Sequence, residues 1–189
     1  MSFKYYADMT DVPVYDLLRQ ASIKIQNELM YFSDYSWQDC PDNGRSTGAY
    51  IIFYHGGPIY HGTHVPGPVS QSSAESEYNL ACTAGMALSR FRMLIHELLN
   101  KDTDIATEES PLIILDSKSP VCMDKNGKDT KHTRHIASRM HLVRNGENCK
   151  MHKIDWCEEG LQLAEISTKN VGENYLTPSM KYIMVRLDN

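Results

Sequence analysis

The feature that most constrains this sequence is a long amphipathic stretch, Gln71 to Leu99, with an acid at the head of its apolar face. Alternating steps of four and three from Glu77 give an unbroken apolar series at the helical period: Ala81, Ala84, Leu88, Phe91, Ile95 and Leu98. Ser72 with Glu75 three residues later has the form of a capping box, so a helix is predicted to begin near Ser72 or Ser73. Glu77 then falls in its second turn.

A carboxylate on the buried face of a helix is costly, and it normally takes a counter-charge, a metal ion or a proton. The alternative is an acid at the edge of the core that reaches back to solvent or to a helix cap. Spacing alone leaves both interpretations open for Glu77. The residue is therefore a candidate for a metal site, to be weighed against the other acids.

Composition indicates a globular chain with one main domain. The 189 residues are 41% hydrophobic, which is enough for a sizeable core, and no apolar run approaches the roughly 20 residues that span a bilayer. The start of the sequence lacks the basic and then apolar order of a signal peptide. Five cysteines without a CxxC pair predict free thiols in a reducing compartment, hence an intracellular protein, cytoplasmic or nuclear, with no membrane partner: Cys40, Cys82, Cys122, Cys149 and Cys157.

Charge is unevenly distributed along the chain. The net charge of −5 argues against a uniformly basic coat for nucleic acid. Between Asp124 and Lys153, however, eight Lys or Arg residues face three acids, and four histidines lie among them. This segment predicts a phosphate-contacting surface, with a solvated helix face as the alternative.

The strand signals come first along the chain. Leu29 to Trp37 is rich in aromatic and apolar residues and carries Asp34 near its end. Two further runs, AYIIFYHGG and IYHGTHV, are joined by a Gly-Gly-Pro turn, so the three segments predict an antiparallel meander. After the long helix, PLIILDSKS has the pattern of a strand buried on both faces, and it ends in Asp116.

Helical signals dominate the second half. KHTRHIASRMHLVRNGE predicts an amphipathic helix closed by Asn145-Gly146, KMHKIDW a strand, and Leu161 to Lys169 a helix that carries Glu165. A short helix is predicted for Ser117 to Asn126, and another helical segment, Val14 to Ile25, lies in an N-terminal arm. The tail from Val171 shows no strong period.

The resulting order, β-β-β-α-β-α-β-α, places acids where they can meet at one edge of a mixed α/β sheet. Clustered carboxylates repel one another unless a cation lies between them, and all-oxygen ligands favour hard divalent ions such as Mg²⁺. Two such ions about 4 Å apart clamp the attacking and leaving oxygens in a phosphodiester displacement.

Several blocks of the sequence closely resemble the ribonuclease H domain at the C-terminus of copia-type LTR-retrotransposon polyproteins. The blocks are SDYSWQDCPDNGRSTGAYIIF, QSSAESEYNLACTAG, LIILDSKS, KHTRHIASRMHLVR and LQLAEISTK. They are similar, in order and spacing, to the family's SDADWAGDPDxRRSTSGY, SSTEAEYMAL, CDNQSA, KHIDxRYHFxR and LADxLTKPL. The likeness covers Leu29 to Asn170 and includes nothing of the polymerase, integrase or protease portions.

This resemblance implies a ribonuclease H-like fold with a mixed five-stranded sheet flanked by helices. It implies a domain over residues 29–170, an arm or connection segment over 1–28 and a C-terminal tail over 171–189. The matching acids are Asp34, Glu77, Asp116 and Glu165, expected to hold two Mg²⁺ or Mn²⁺ ions. Glu75 lies off the apolar stripe and fits the capping role instead.

The implied activity is endonucleolytic hydrolysis of the RNA strand of an RNA–DNA hybrid. Backbone contacts to the hybrid are expected from the basic segment that matches the KHI block: Lys131, Arg134, His135, Arg139 and Arg144. A reverse transcriptase polymerase domain is a further expected partner.

Departures from the family pattern keep a second hypothesis open. The fourth acid is Glu165 where the family has Asp, Ser117 replaces an Asn, and Ala137 replaces an Asp. An extra methylene displaces a carboxylate by about 1.5 Å, whereas Mg²⁺ requires near-ideal distances. These changes favour a weakened or inactive module that binds nucleic acid or packs against a reverse transcriptase. A zinc site is the weakest alternative, because the candidate ligands match no tetrahedral spacing: His61 and His64, or His132, His135, Cys149 and Cys157.

Overall fold

The fold was analysed in a computed structural model that describes residues 13–20, 23, 29–36, 46–64, 73–99, 109–116, 137–168 and 172–183. The strands are β1 (Leu29–Ser36), β2 (Thr47–Tyr54), β3 (Gly57–His64), β4 (Leu112–Leu115) and β5 (Lys153–Trp156). The helices are α1 (Pro13–Gln20), α2 (Ser73–Leu98), α3 (Ala137–Asn148) and α4 (Glu173–Ile183). Two 3₁₀ segments, Glu159–Leu161 and Leu163–Ser167, follow β5.

The five strands form one mixed sheet in the order β3-β2-β1-β4-β5. The meander β1-β2-β3 is antiparallel, as its short turns predict, and β4 and β5 add in parallel beside β1. Parallel neighbours require crossovers, and in this chain the crossovers contain α2 and α3. The predicted five-stranded mixed sheet is therefore confirmed.

Each face of the sheet carries its own apolar cluster, because side chains alternate along a strand. On one face, Tyr31 packs with α2 and α3, through residues that include Ala81, Leu88 and Val143. On the other face, Phe32 packs with a cluster that includes residues of α1 and of the Leu163–Ser167 segment. The two clusters together contain most of the buried apolar side chains that the structure describes.

Helix α2 begins at Ser73, as the capping pattern predicts. The apolar stripe, which is the series at helical spacing that follows Glu77, is buried from Ala81 to Leu88. The next stripe residue, Phe91, is partly buried and packs against Tyr60 of β3 with ring centroids 5.6 Å apart. The prediction fails at the last residue of the stripe, because Leu98 is 70% exposed. Met93 and Leu94 are also exposed, so the last turns of α2 are only partly covered by the rest of the protein.

Three other sequence predictions need correction. The segment predicted as a helix over Leu161 to Lys169 is instead two 3₁₀ turns, with buried Gln162 between them. Helix α3 continues past Asn145-Gly146 to Asn148, and Gly146 is buried within it. The tail is helical over Glu173–Ile183 although it lacks a clear period, and Pro178 lies inside that helix. The helix predicted for Ser117 to Asn126 lies outside the described residues.

The described part of the N-terminal arm packs with the main domain. Val14, Tyr15, Leu17 and Leu18 of α1 are almost fully buried and belong to the same cluster as Phe32. The division of the chain at residue 28 stays a prediction. None of the helices that the structure describes is both long and apolar enough to cross a membrane.

Candidate active site

Two of the predicted acids lie at the carboxyl ends of neighbouring parallel strands. Asp34 is in β1, and Asp116 comes directly after β4. The register pairs Ser33 with Leu115, and Asp34 and Asp116 are the residues that directly follow this pair. In open α/β sheets, ligands bind beyond the carboxyl ends of the strands. The topology thus brings the first and third acids to the position where a site is expected.

Asp34 is buried, with only 1% of its surface exposed. Met30 and Phe32 pack on the face of the 3₁₀ segments, and the alternation along β1 puts Asp34 on that same face. The hydroxyl of Thr168 donates a hydrogen bond to Oδ2 of Asp34. Within the described residues, Oδ1 of Asp34 accepts no hydrogen bond, although it is fully buried.

One hydrogen bond does not balance the burial of this carboxylate. Removing a carboxylate from water costs several kcal/mol even after relaxation, whereas a hydrogen bond to a charged group returns about 1.5–3 kcal/mol. The remaining acceptor, Oδ1 of Asp34, therefore fits a hard cation that prefers oxygen ligands. This is the structural observation that makes a divalent metal consistent with the residues present.

The fourth acid, Glu165, is also buried, at 7% exposure, and it lies in the Leu163–Ser167 segment. Side chains fix this segment at both ends. At its start, Nε2 of Gln162 donates to the carbonyl of Ile114 on β4 at 3.2 Å. At its end, Thr168 bonds to Asp34 on β1, and its backbone N–H donates to the carbonyl of Glu165 at 3.1 Å. The segment that carries Glu165 is thereby tied to β4 at its start and to β1 at its end.

The thiol of Cys157 lies where the negative charge at this end of the sheet affects its pKa. Cys157 is the first residue after β5, and its backbone N–H donates to the carbonyl of Leu115 at 2.9 Å. Burial is the main cause that raises the pKa of this thiol to about 12, and the charges of Asp116, Asp155 and Asp34 raise it further. Asp34 and Asp116 therefore act on the same buried group.

Glu77 lies on the helix that packs against the opposite face of the sheet. It lies in the second turn of α2, and its Oε2 atom is buried. One turn later, Leu80 lies beside Gly48, which pairs with Tyr35 at the end of β1. The helix therefore begins over the carboxyl end of β1, as the site requires, while the approach of Glu77 to Asp34 stays a prediction.

The described residues do not form a complete metal-binding cluster. In those parts of the chain, no group of three or more His, Cys, Asp or Glu side chains is arranged to hold a metal ion. Mg²⁺ commonly binds through one or two carboxylates together with water and substrate phosphates, so a site of this kind does not require three convergent protein ligands.

The predicted nucleic-acid contacts divide into two groups. Lys131, Arg134 and His135 lie outside the described residues. The other two are on α3. Arg139 donates a hydrogen bond to Glu75 of α2 at 2.9 Å, so the predicted capping acid is engaged in an ion pair. Arg144 lines an open groove with five other α3 residues: Ser138, His141, Leu142, Asn145 and Asn148.

Sequence reasoning missed the two polar side chains that fix the Glu165 segment. Thr168 lies in the segment that the sequence predicts as a helix, and that prediction does not indicate its hydrogen bond to Asp34. A usable signal was its position three residues after Glu165, because residues i and i+3 lie on the same side of a 3₁₀ turn. Gln162 gave no such signal, since its partner is a backbone carbonyl of β4.

Comparison with solved structures shows that the chain has a ribonuclease H-like α/β fold. It is similar to the N-terminal RNase H domain of a Mycobacterium tuberculosis protein, solved as a fusion with maltose-binding protein, at a TM-score of 0.50 and 9% identity. That match covers 81% of this chain and 96% of the other. RNase H1 from the archaeon Halobacterium salinarum NRC-1 matches at a TM-score of 0.52 and 12% identity, over 75% of this chain and 94% of the other.

A curated relative points to a retrotransposon. The chain is 27% identical over 136 residues to the "Retrovirus-related Pol polyprotein from transposon TNT 1-94" of Nicotiana tabacum. The match covers 72% of this chain but only 9% of the polyprotein. No family model matches the sequence. The relation to retrotransposon polyproteins is therefore distant and confined to one domain-sized part of them.

Proposed function

We propose that this chain is a retrotransposon-derived ribonuclease H that hydrolyses the RNA strand of an RNA–DNA hybrid in a reaction dependent on divalent metal. The observation that carries the proposal is the placement of Asp34 and Asp116 at the ends of adjacent parallel strands, in a fold shared with RNase H domains. The match to a retrotransposon polyprotein supports the same conclusion from sequence.

The proposed roles follow from the carboxylates. Asp34, Glu77, Asp116 and Glu165 would hold the Mg²⁺ or Mn²⁺ ions, in agreement with the buried and unsatisfied Oδ1 of Asp34. Divalent ions in such sites lower the pKa of bound water and stabilise charge on the phosphate oxygens. The protein contributes the fixed positions of its carboxylates and a backbone that excludes bulk water from Asp34.

The hybrid is proposed to lie across the N-terminal end of α2 and along α3. The open groove on α3 is lined by Arg144, His141 and three side chains that can hydrogen-bond to phosphate: Ser138, Asn145 and Asn148. Such contacts hold the duplex backbone without reading its sequence. The proposed polymerase partner would supply further binding surface.

A second candidate function is a module that keeps the fold and binds nucleic acid, or packs against a reverse transcriptase, without cleaving. Two departures from the family pattern favour it: the longer Glu165 in place of an Asp, and the absence of an acid at Ala137.

The decisive experiment is cleavage of a labelled RNA–DNA hybrid in Mg²⁺, in Mn²⁺ and in EDTA. We expect cleavage of the RNA strand in either metal, none in EDTA, and none by Asp34→Asn in any condition. The matched control is Asp16→Asn, because Asp16 is exposed on α1, pairs with Arg19 three residues later and is not one of the proposed metal ligands. Hybrid binding without cleavage by the wild type would instead establish the second candidate.

A further inference from the structure

The hydrogen bond between Thr168 and Asp34 joins two elements that are 134 residues apart in the sequence. Thr168 is buried at 9% exposure and lies at the C-terminal end of the Leu163–Ser167 segment. Its hydroxyl lies within reach of two acceptors, Oδ2 of Asp34 and the carbonyl of Glu165 at 3.1 Å. A hydroxyl has one proton, so these two acceptors compete for it.

The charge of Asp34 decides this competition. The carbonyl of Glu165 already accepts a hydrogen bond from the backbone N–H of Thr168. Hydrogen bonds to ionised acceptors are shorter and about twice as strong as those between neutral groups. The hydroxyl proton is therefore directed to Oδ2 of Asp34.

A carboxylate that accepts at one oxygen is restricted in its rotation about χ2. Without a donor, the carboxylate of Asp34 can exchange its two oxygens, since this torsion is broad and nearly two-fold. With Thr168 bound to Oδ2, the other oxygen, Oδ1, is held as the available acceptor, and the structure gives it no protein donor among the described residues. The hydroxyl thus selects which oxygen of Asp34 a cation meets.

We infer that Thr168 is a positioning residue, which orients the Asp34 carboxylate for a divalent cation and ties the Glu165 segment to β1. The inference rests on the proposed function, because it assigns Asp34 to a metal site. Thr168 itself is assigned no contact with metal or substrate. Hydrogen-bond partners of metal ligands typically change metal affinity or activity by 10–100-fold when they are removed.

The test measures Mn²⁺ binding to the purified full chain in the absence of nucleic acid, by calorimetry or by the loss of free Mn²⁺ signal in electron paramagnetic resonance. Thr168→Val keeps the shape of the side chain and removes the hydroxyl. We expect it to raise the Mn²⁺ dissociation constant at least tenfold, and Thr168→Ser, which retains the donor, to restore it to within about threefold.

The matched control is Thr83→Val. Thr83 is a partly buried threonine whose hydroxyl donates to the carbonyl of Asn79, one turn earlier in α2, at 2.9 Å. The substitution removes a hydrogen-bonded threonine hydroxyl without affecting an acid, so the Mn²⁺ affinity is expected to stay at the wild-type value. If Thr168→Val does not fold, Thr168→Ala, which adds no bulk, takes its place in the measurement.

Hybrid cleavage adds a second readout. The turnover number of Thr168→Val at low Mg²⁺ should fall at least tenfold and recover in part at high Mg²⁺, while KM for the hybrid stays unchanged. If Thr168→Val folds and binds Mn²⁺ with the wild-type affinity, the inference is wrong, whether or not the wild type cleaves the hybrid. Wild-type protein that binds Mn²⁺ but cuts no hybrid overturns the proposed activity alone, and the absence of Mn²⁺ binding by the wild type overturns both.

Discussion

Nη1 of Arg139 on α3 donates to Oε1 of Glu75 on α2 at 2.9 Å and joins the two helices that cover one face of the sheet. The carbonyl of Arg139 also accepts from the thiol of Cys82, 3.5 Å away on α2. Arg139 thus contributes to helix packing as well as to the basic surface. Its charge is partly neutralised before any phosphate approaches.

The first prediction concerns the strength of this ion pair. The side chains of Arg139 and Glu75 are 34% and 14% exposed, so the pair is screened less than a surface pair. A double-mutant cycle with Arg139→Met and Glu75→Gln should give a coupling free energy of about 1 kcal/mol in urea unfolding. The coupling should shrink in 1 M NaCl. A value near zero at low salt would show that the pair adds nothing to stability.

The second prediction concerns the two arginines of α3 in nucleic-acid binding. Arg144→Gln should weaken hybrid binding and reduce the slope of the logarithm of the binding constant against the logarithm of salt concentration by about one, because a phosphate contact acts by counterion release. Arg139→Gln should also weaken binding, although Glu75 offsets part of the charge of Arg139. Binding is measured by fluorescence anisotropy between 50 and 200 mM salt, the range over which phosphate contacts lose affinity steeply. Affinity for the hybrid that does not change with salt would instead favour packing against protein.

The third prediction concerns the packing of His152 between α2 and α3. A Cβ added to Gly146 of α3 would overlap the imidazole of His152, and one added to Gly85 of α2 would lie 2.9 Å from its Cε1 atom. The ring is buried at 5% exposure and cannot move outward freely. Gly146→Ala should therefore lower the free energy of unfolding by about 1–3 kcal/mol, despite the better helix propensity of alanine.

Two variants test this steric explanation. Gly160→Ala is the matched control, because nothing lies within 4 Å of a Cβ at that position, and its effect should be within about 0.5 kcal/mol. In a His152→Ala background, the cost of Gly146→Ala should largely disappear, since the overlapping ring is gone. A cost that persists there would assign the effect to the helix backbone rather than to His152. Urea unfolding measures the wild type, the three single variants and the double variant.

The fourth prediction uses the raised pKa of the Cys157 thiol. At pH 8, iodoacetamide should label exposed Cys149 quickly and Cys157 only on unfolding, because Cys157 is buried and its pKa is about 12. An unfolded thiol titrates near pH 8.5, so between these values the native state holds more protons than the unfolded state. The stability that Cys157 contributes is then lost as the pH rises through this window.

Peptide mass spectrometry after labelling measures the reactivity of each cysteine. Urea unfolding at pH 8, 9 and 10 should show a shallower alkaline decline for Cys157→Ala than for the wild type. Rapid labelling of Cys157 in the folded protein would show that the carboxyl end of β5 opens more readily than its burial indicates.

The sequence predicted the sheet well because its signals are local. Alternation and turn residues mark β1, β2 and β3, and a continuous apolar run marks β4. The 3₁₀ winding of Leu163–Ser167 was not predictable, because it depends on bonds from Gln162 and Thr168 to distant strands. Helix α4 was missed for a similar reason: it is stabilised by contact with α1 and the neighbouring core rather than by a strong period of its own.

The acids of the candidate site can be proposed from the sequence, whereas the residues that hold them in place cannot. Asp34 and Asp116 are marked by strand ends, and Glu77 by a helical stripe. The role of Arg139 was harder to predict, because a basic residue on an amphipathic helix can face solvent, phosphate or an acid of the next helix. Only the packing of α3 against α2 decides that Glu75 is its partner.

The last prediction distinguishes a weakened nuclease from a binding module, and it concerns Glu165. This residue is buried in a segment that Gln162 and Thr168 fix to β4 and β1, so its backbone cannot withdraw to offset the extra methylene. Glu165→Asp should therefore raise the Mg²⁺-dependent rate of hybrid cleavage by about tenfold, equivalent to about 1.4 kcal/mol of barrier.

The metal preference gives the same prediction a second measurement. A displaced carboxylate should weaken the binding of Mg²⁺ more than that of Mn²⁺, because Mg²⁺ requires near-ideal octahedral distances. The wild type should then cleave the hybrid faster in Mn²⁺ than in Mg²⁺, and Glu165→Asp should reduce the difference between the two rates. If the rate rises in neither metal, the length of Glu165 is not what limits the site. The low cleavage activity would then be caused by other departures from the family pattern, such as Ala137. Binding without cleavage would be the better hypothesis.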